Sequence, residues 1–106
     1  MQLKPTYAGG PGCWRGALKI GGRQIWTCPH AHRNRDMSST TAGPSAMACA
    51  HAVRLAVEAP EEAERVRNWL GAFGRSLGSY DLYDWAISIA PTIRSRLTAT
   101  GPEVRP

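Results

Sequence analysis

Cys28-Pro29-His30-Ala31-His32 and, after a Ser/Thr-rich stretch, Cys49-Ala50-His51 place five metal-ligating side chains within 24 positions. Cys thiolates and His imidazoles are the ligands that zinc gathers in fours, at the corners of a tetrahedron. The chemistry implied is structural metal binding by a small module.

The flanking runs must bring these groups together. Residues 13–20 and 23–28 contain apolar positions and flank Gly21-Gly22, the pattern of a β-hairpin with a two-residue turn. That turn sets Leu18 opposite Ile25 and Ala17 opposite Trp26. Alternation then gives Ile20, Leu18 and Ile25 one face, and Trp26, Cys28 and Cys13 the other. Cys28 ends the second strand, and His30 and His32 follow in its exit loop. A bend at Pro29 is required, since fully extended backbone would hold Cys28 and His32 about 13 Å apart. Residues 33–43 read as loop. Pro44 suits the first position of a helix over 44–58, with Gly43 or Thr41 before it. The apolar face of that helix carries Ala46, Cys49, Ala50, Val53, Ala56 and Val57. His51 lies about 160° round the helix from Cys49, so a regular helix cannot aim both at one ion. The preferred ligand set is Cys28, His30, His32 and Cys49. Cys13 is an alternative to one histidine, because the hairpin register puts it near His30.

The rest of the chain frames this module. Residues 1–12, with Pro5, Gly9, Gly10, Pro11 and Gly12, read as a flexible, irregular lead-in. Pro60 opens a second helix, with Glu61, Glu62 and Glu64 near its positive end. Ala63, Val66, Leu70, Phe73 and Leu77 form its apolar stripe, and Gly78 stops it. Asp81 is placed to cap a third helix with a stripe of Leu82, Ala86, Ile89, Ile93 and Leu97. Pro91 should kink or split it. The short link at 78–80 makes these two helices an antiparallel hairpin. Residues 99–106 read as a flexible end. The fold class is therefore α+β. A zinc-stabilised β-hairpin plus helix over 13–58 is followed by an antiparallel helical hairpin over 59–98. A chain of 106 residues is one small domain by size, where a metal staple compensates for a small core.

The charge is uneven. Residues 1–58 carry seven Lys/Arg against Asp36 and Glu58, a net +5, whereas residues 59–106 carry six of each sign. The excess therefore sits with the Cys/His half, and a basic module attracts polyanions, nucleic acid above all. Three cysteines are an odd number, and no apolar run reads as a signal or a membrane span. The expected setting is cytoplasmic and reducing, with no membrane partner, where Cys beside His reads as a metal ligand.

Trp26-Thr27-Cys28-Pro29-His30-Ala31-His32, then Ala46-Met47-Ala48-Cys49-Ala50, resembles a W-x-C-x-H-x-H … A-x-x-C-A pattern. Similar patterns occur in short, mostly uncharacterised zinc-ribbon-like or zinc-finger-like proteins of high-GC Gram-positive bacteria and their phages. The resemblance covers roughly residues 14–57. It implies a small zinc module with Cys28, His30, His32 and Cys49 as ligands, and no agreed activity.

Two binding functions follow. In the first, the basic half contacts nucleic acid through Arg15, Lys19, Arg23, Arg33 and Arg35, with Trp14 as a stacking surface. In the second, the chain is a phage or bacterial regulatory factor. It then binds a host protein, or itself, through the aromatic helical hairpin. Tyr80 and Tyr83 are the expected exposed anchors, while Trp69 and Phe73 are expected in the core. Catalysis is not expected. A metal-dependent nuclease built on His32, Asn34 and His51 is the weaker alternative, because the spacing is poor. Asp81 and Asp84 read as helix-start residues, not as an acid/base pair. Gly9-Gly10-Pro11-Gly12 lacks the Lys-Ser/Thr ending of a phosphate loop.

Overall fold

Gly21 and Gly22 both take left-handed backbone angles, φ 56° and 82°, and form the two-residue turn expected between the strands. In this computed structural model, residues 2–36, 44–72 and 79–99 are described. They form β1 (Lys4–Gly10), β2 (Cys13–Ile20), β3 (Arg23–Thr27), α1 (Ala46–Glu58), α2 (Pro60–Ala72) and α3 (Ser79–Ala99). The sheet is antiparallel in the order β1-β2-β3, and the fold is α+β as expected.

The lead-in is a correction, since most of residues 1–12 is strand β1. Its apolar content is too sparse to show a period of two, so backbone pairing with β2 defines it. Pro5 is tolerated because β1 is an edge strand, where a missing N–H costs no ladder bond. Pro11-Gly12 forms a second tight turn between Gly10 and its partner Cys13, with Gly12 at φ 83°.

The hairpin register is a second correction. Ile20 pairs with Arg23 and Lys19 with Gln24, as a two-residue turn requires. A β-bulge at Leu18/Lys19 then shifts the ladder, so Leu18 faces Trp26 and Ala17 faces Thr27. One extra residue in β3 reverses which face the following side chains occupy. Trp26 and Cys28 therefore join Leu18 on the helix-covered face, and Cys13 is left on the other, exposed to solvent.

Helix α1 lies across that covered face. Leu3 and Leu18 of the sheet side meet Ala50, Val53, Ala56 and Val57 of α1, and Ala86, Ala90 and Ile93 of α3 complete the core. Small residues on α1 let both neighbours approach closely. The approach is tightest at Gly16, where a Cβ would lie 2.6 Å from the Ala46 carbonyl oxygen and 3.0 Å from the Ala50 nitrogen. The helix start differs from expectation. Ser45 is the N-cap and accepts from the Ala48 N–H at 3.1 Å, so Pro44 falls just outside the helix.

Helices α2 and α3 are antiparallel. Arg67 pairs with Asp84 at 3.0 Å and Gly71 abuts the Tyr80 ring, so the order of partners reverses along the chain. Arg94 of α3 donates to the Ala56 and Val57 carbonyls at 2.9 and 3.4 Å, tying α3 to the end of α1. Helix α3 starts at Ser79, so Asp81 lies in its first turn and does not cap it, and Pro91 does not split the helix, which continues to Ala99. The expected positions Phe73, Leu77 and Gly78, and the tail from Gly101, lie outside the described residues. Among those described, no helix is long and apolar enough to cross a membrane.

Gly16→Ala forces β2 away from α1 and is expected to cost about 1–3 kcal/mol. Urea unfolding followed by tryptophan fluorescence measures this. An unchanged midpoint would show that the approach is not tight.

Candidate metal centre

Cys28, His30, His32 and Cys49 converge on one point, with ligand atoms all within 4.8 Å of one another, and could hold a metal ion. The chain reaches this arrangement in three steps. First, Cys28 extends the β2–β3 ladder, its N–H donating to the Gly16 carbonyl at 2.8 Å. Second, His32 rejoins the same strand two residues further on, exchanging backbone hydrogen bonds with Trp14 at 3.1 and 2.6 Å. Residues 29–31 are looped out between these pairings, which is the bend expected at Pro29. Cys28 and His32 thus stand over neighbouring same-face positions of β2, about 7 Å apart along it instead of about 13 Å. Third, the loop after His32 caps α1. The Ala46 and Met47 N–H groups donate to the Asn34 and Arg35 carbonyls, both at 2.9 Å. These are donors that a helix start leaves without intrahelical partners. The loop thereby fixes the first turns of α1, and with them Cys49.

The pairwise geometry is tight. Cys28 Sγ lies 3.5 Å from His32 Nε2, and Cys49 Sγ lies 3.7 Å from His30 Nε2. His32 Nδ1 sits 3.1 Å from the Pro44 carbonyl oxygen. A proton on Nδ1 donates to that carbonyl, which leaves Nε2 as the free lone pair facing the thiols. Cys28 Sγ also accepts the Gly16 N–H at 3.2 Å. Three of the four side chains are buried and only His30 is exposed. The His30 ring packs edge-on against His32, with centroids 4.7 Å apart, and against Trp85 of α3 at 4.9 Å. Helix α3 therefore walls the site, in addition to packing on α1.

The two thiols are unequal. A hydrogen bond from Cys49 is the main cause that lowers the Cys28 thiol to about 5, with the Gly16 N–H assisting against burial. The same shared proton, with burial and the Cys28 charge, pushes the Cys49 thiol up. One thiol is thus favoured as the thiolate and the other as the thiol.

The other expected residues fall into separate places. Cys13 is exposed and outside the cluster, so it is no substitute ligand. His51 is exposed on the far side of α1, as helical geometry requires. The five basic residues do not share one patch. Arg15 and Lys19 alternate to the sheet face opposite Leu18, and Arg15 donates to the Cys28 carbonyl at 3.1 Å. Arg23 is exposed at the start of β3, beside Arg96 of α3. Arg33 is exposed next to His32. Arg35 stacks over the Tyr7 and Trp14 rings at 5.1 and 5.7 Å and pairs with Asp36 at 3.4 Å. Tyr80 and Tyr83 are half-buried, and burial pushes the Tyr83 hydroxyl pKa up. Among the described residues the exposed aromatics are Tyr7, at 38 %, and Trp69, at 61 %. Gly16, Pro44 and Trp85 were not singled out as site residues. Only the Gly at the centre of a strand signalled that two backbones meet there. Comparison with protein-family models, curated proteins and solved structures finds no match.

With the Cys28 thiol lowered to about 5 and the Cys49 thiol pushed up, binding a divalent ion to the metal-free folded protein at about pH 7.5 is expected to release one proton, from Cys49. Calorimetric titration with Co²⁺ in buffers of different ionisation enthalpy measures the number. Release of two protons would contradict the shared-proton arrangement.

Proposed function

We propose that the protein is a small zinc-stabilised binding module that contacts nucleic acid through its basic N-terminal half. Zinc is supported chiefly by the two sulfur–nitrogen separations, 3.5 and 3.7 Å. A tetrahedral zinc with bonds of about 2.3 Å to sulfur and about 2.05 Å to nitrogen spaces such pairs about 3.6 Å apart. A Cys2His2 donor set also suits zinc better than hard cations, which take oxygen. Four protein ligands close the coordination sphere, which favours a structural role over catalysis. Zinc bound there would join the β3 exit loop to α1 and compensate for the small core.

The nucleic-acid reading is supported by the excess positive charge of residues 1–58 and by the surface next to the site. Exposed Arg33 lies beside Arg35, whose guanidinium covers the edge-to-face pair of Tyr7 and Trp14. Arginine and aromatic rings are the groups on which phosphates and unstacked bases are held. Single-stranded DNA or RNA is expected to bind, with affinity falling steeply as salt rises. Fluorescence anisotropy over a salt series tests it. No binding at 50 mM salt, or binding insensitive to salt, would reject it.

A second reading, a regulatory contact with a protein through the helical hairpin, is supported by exposed Trp69 on α2. It expects Trp69→Ala, and not Arg33→Ala, to abolish capture of a partner. The reverse result would reject it.

Elemental analysis of protein purified without added metal should find one zinc per chain. Chelator should lower the melting temperature, and Cys28→Ser should do so without chelator. A metal-free protein indifferent to chelator would reject the zinc site.

A further inference from the structure

Lys4 and Lys19 are direct cross-strand partners in the β1–β2 ladder. Like charges at directly opposed positions of an antiparallel pair repel, and an anion between them would relieve that repulsion. Both lysines line a groove of about 750 Å³ at the end of the sheet, remote from the Cys/His cluster. The Gly21-Gly22 turn and Thr6 line it too, and Arg54 of α1 supplies a third cation. Glu58 is the acid nearest Arg54, 3.5 Å from its Nη1, and its other oxygen accepts the Leu3 N–H at 2.8 Å. With Glu58 counted, the groove keeps a net charge of about +2. Three cations against one carboxylate, two of them directly opposed across the ladder, make this groove favourable for an anion.

We propose that the groove is a phosphate-binding site that holds a backbone phosphodiester of single-stranded nucleic acid between Lys4, Lys19 and Arg54. The choice of nucleic acid as the source of the phosphate rests on the function proposed above. The groove itself does not. None of the three is near the zinc ligands, and Lys4 and Arg54 were not among the basic residues expected from the sequence to bind. The site adds an anchoring point at the opposite end of the sheet from Arg33 and Arg35.

Two measurements on the full chain test this, with the double variant Lys4→Gln/Lys19→Gln. In the first, inorganic pyrophosphate is titrated and backbone amide shifts are followed by NMR. Saturable shifts at Gly21, Gly22 and Lys19 are expected in the wild type and not in the variant. In the second, binding of a single-stranded DNA oligonucleotide is measured over a salt series. The variant should lower the slope of log affinity against log salt by about 0.7 or more, the loss of at least one phosphate contact. Pyrophosphate shifts without any DNA binding would uphold the groove and reject the nucleic-acid function. DNA binding with an unchanged slope, or no pyrophosphate response, would overturn the groove.

Discussion

The contact between β2 and the first turns of α1, made possible by Gly16, sets the position of everything else. At this point the backbone of a strand meets the backbone of a helix, with no side chain between them. Four consequences follow from the closeness. Gly16 N–H reaches the Cys28 sulfur, Cys49 comes within reach of Cys28 and His30, the Asn34 and Arg35 carbonyls cap the helix, and the Pro44 carbonyl meets His32. A residue larger than glycine would separate the two halves of the ligand set before any metal arrived. The cluster is thus a property of backbone packing as much as of its Cys and His residues.

The β-bulge in the hairpin acts on the same site from the other side. Without it, Cys28 would face away from α1, on the side that carries Cys13. One inserted residue moves Cys28 and Trp26 to the covered face, and leaves Cys13 exposed. The loop of residues 29–31 then returns His32 to the same face. Site geometry therefore depends on two local irregularities in an otherwise regular ladder. Such irregularities persist when the groups they aim are held by something, and a bound ion would hold these.

Much of this was legible in the sequence, and the gaps have physical causes. The four residues of the cluster were legible from residue type, from the bend needed at Pro29 and from the helical wheel that separates Cys49 from His51. The hairpin turn was visible in Gly21-Gly22, and the two later helices in their apolar stripes. Strand β1 was not visible, because an edge strand defined by backbone pairing leaves little periodicity in Lys4–Gly10. The register was not legible because a bulge has no residue signature here: Ile25 is as good a strand residue as its neighbours. Trp69 was expected inside as part of a single core completed over the Cys/His module, yet α2 buries only Ala63 fully, so most of that helix faces solvent. Gly16 was hidden among eleven glycines, and its role depends on a helix thirty positions away. The lysine pair in the groove was out of reach for the same reason, since β1 had to be known first.

The central claim is that Cys28, His30, His32 and Cys49 jointly coordinate one zinc. Zinc X-ray absorption spectroscopy on the purified protein tests it directly. The account predicts two sulfur scatterers at about 2.3 Å and two imidazole nitrogens at about 2.0–2.1 Å. A first shell of oxygen ligands, or a sulfur-to-nitrogen ratio other than two to two, would contradict it.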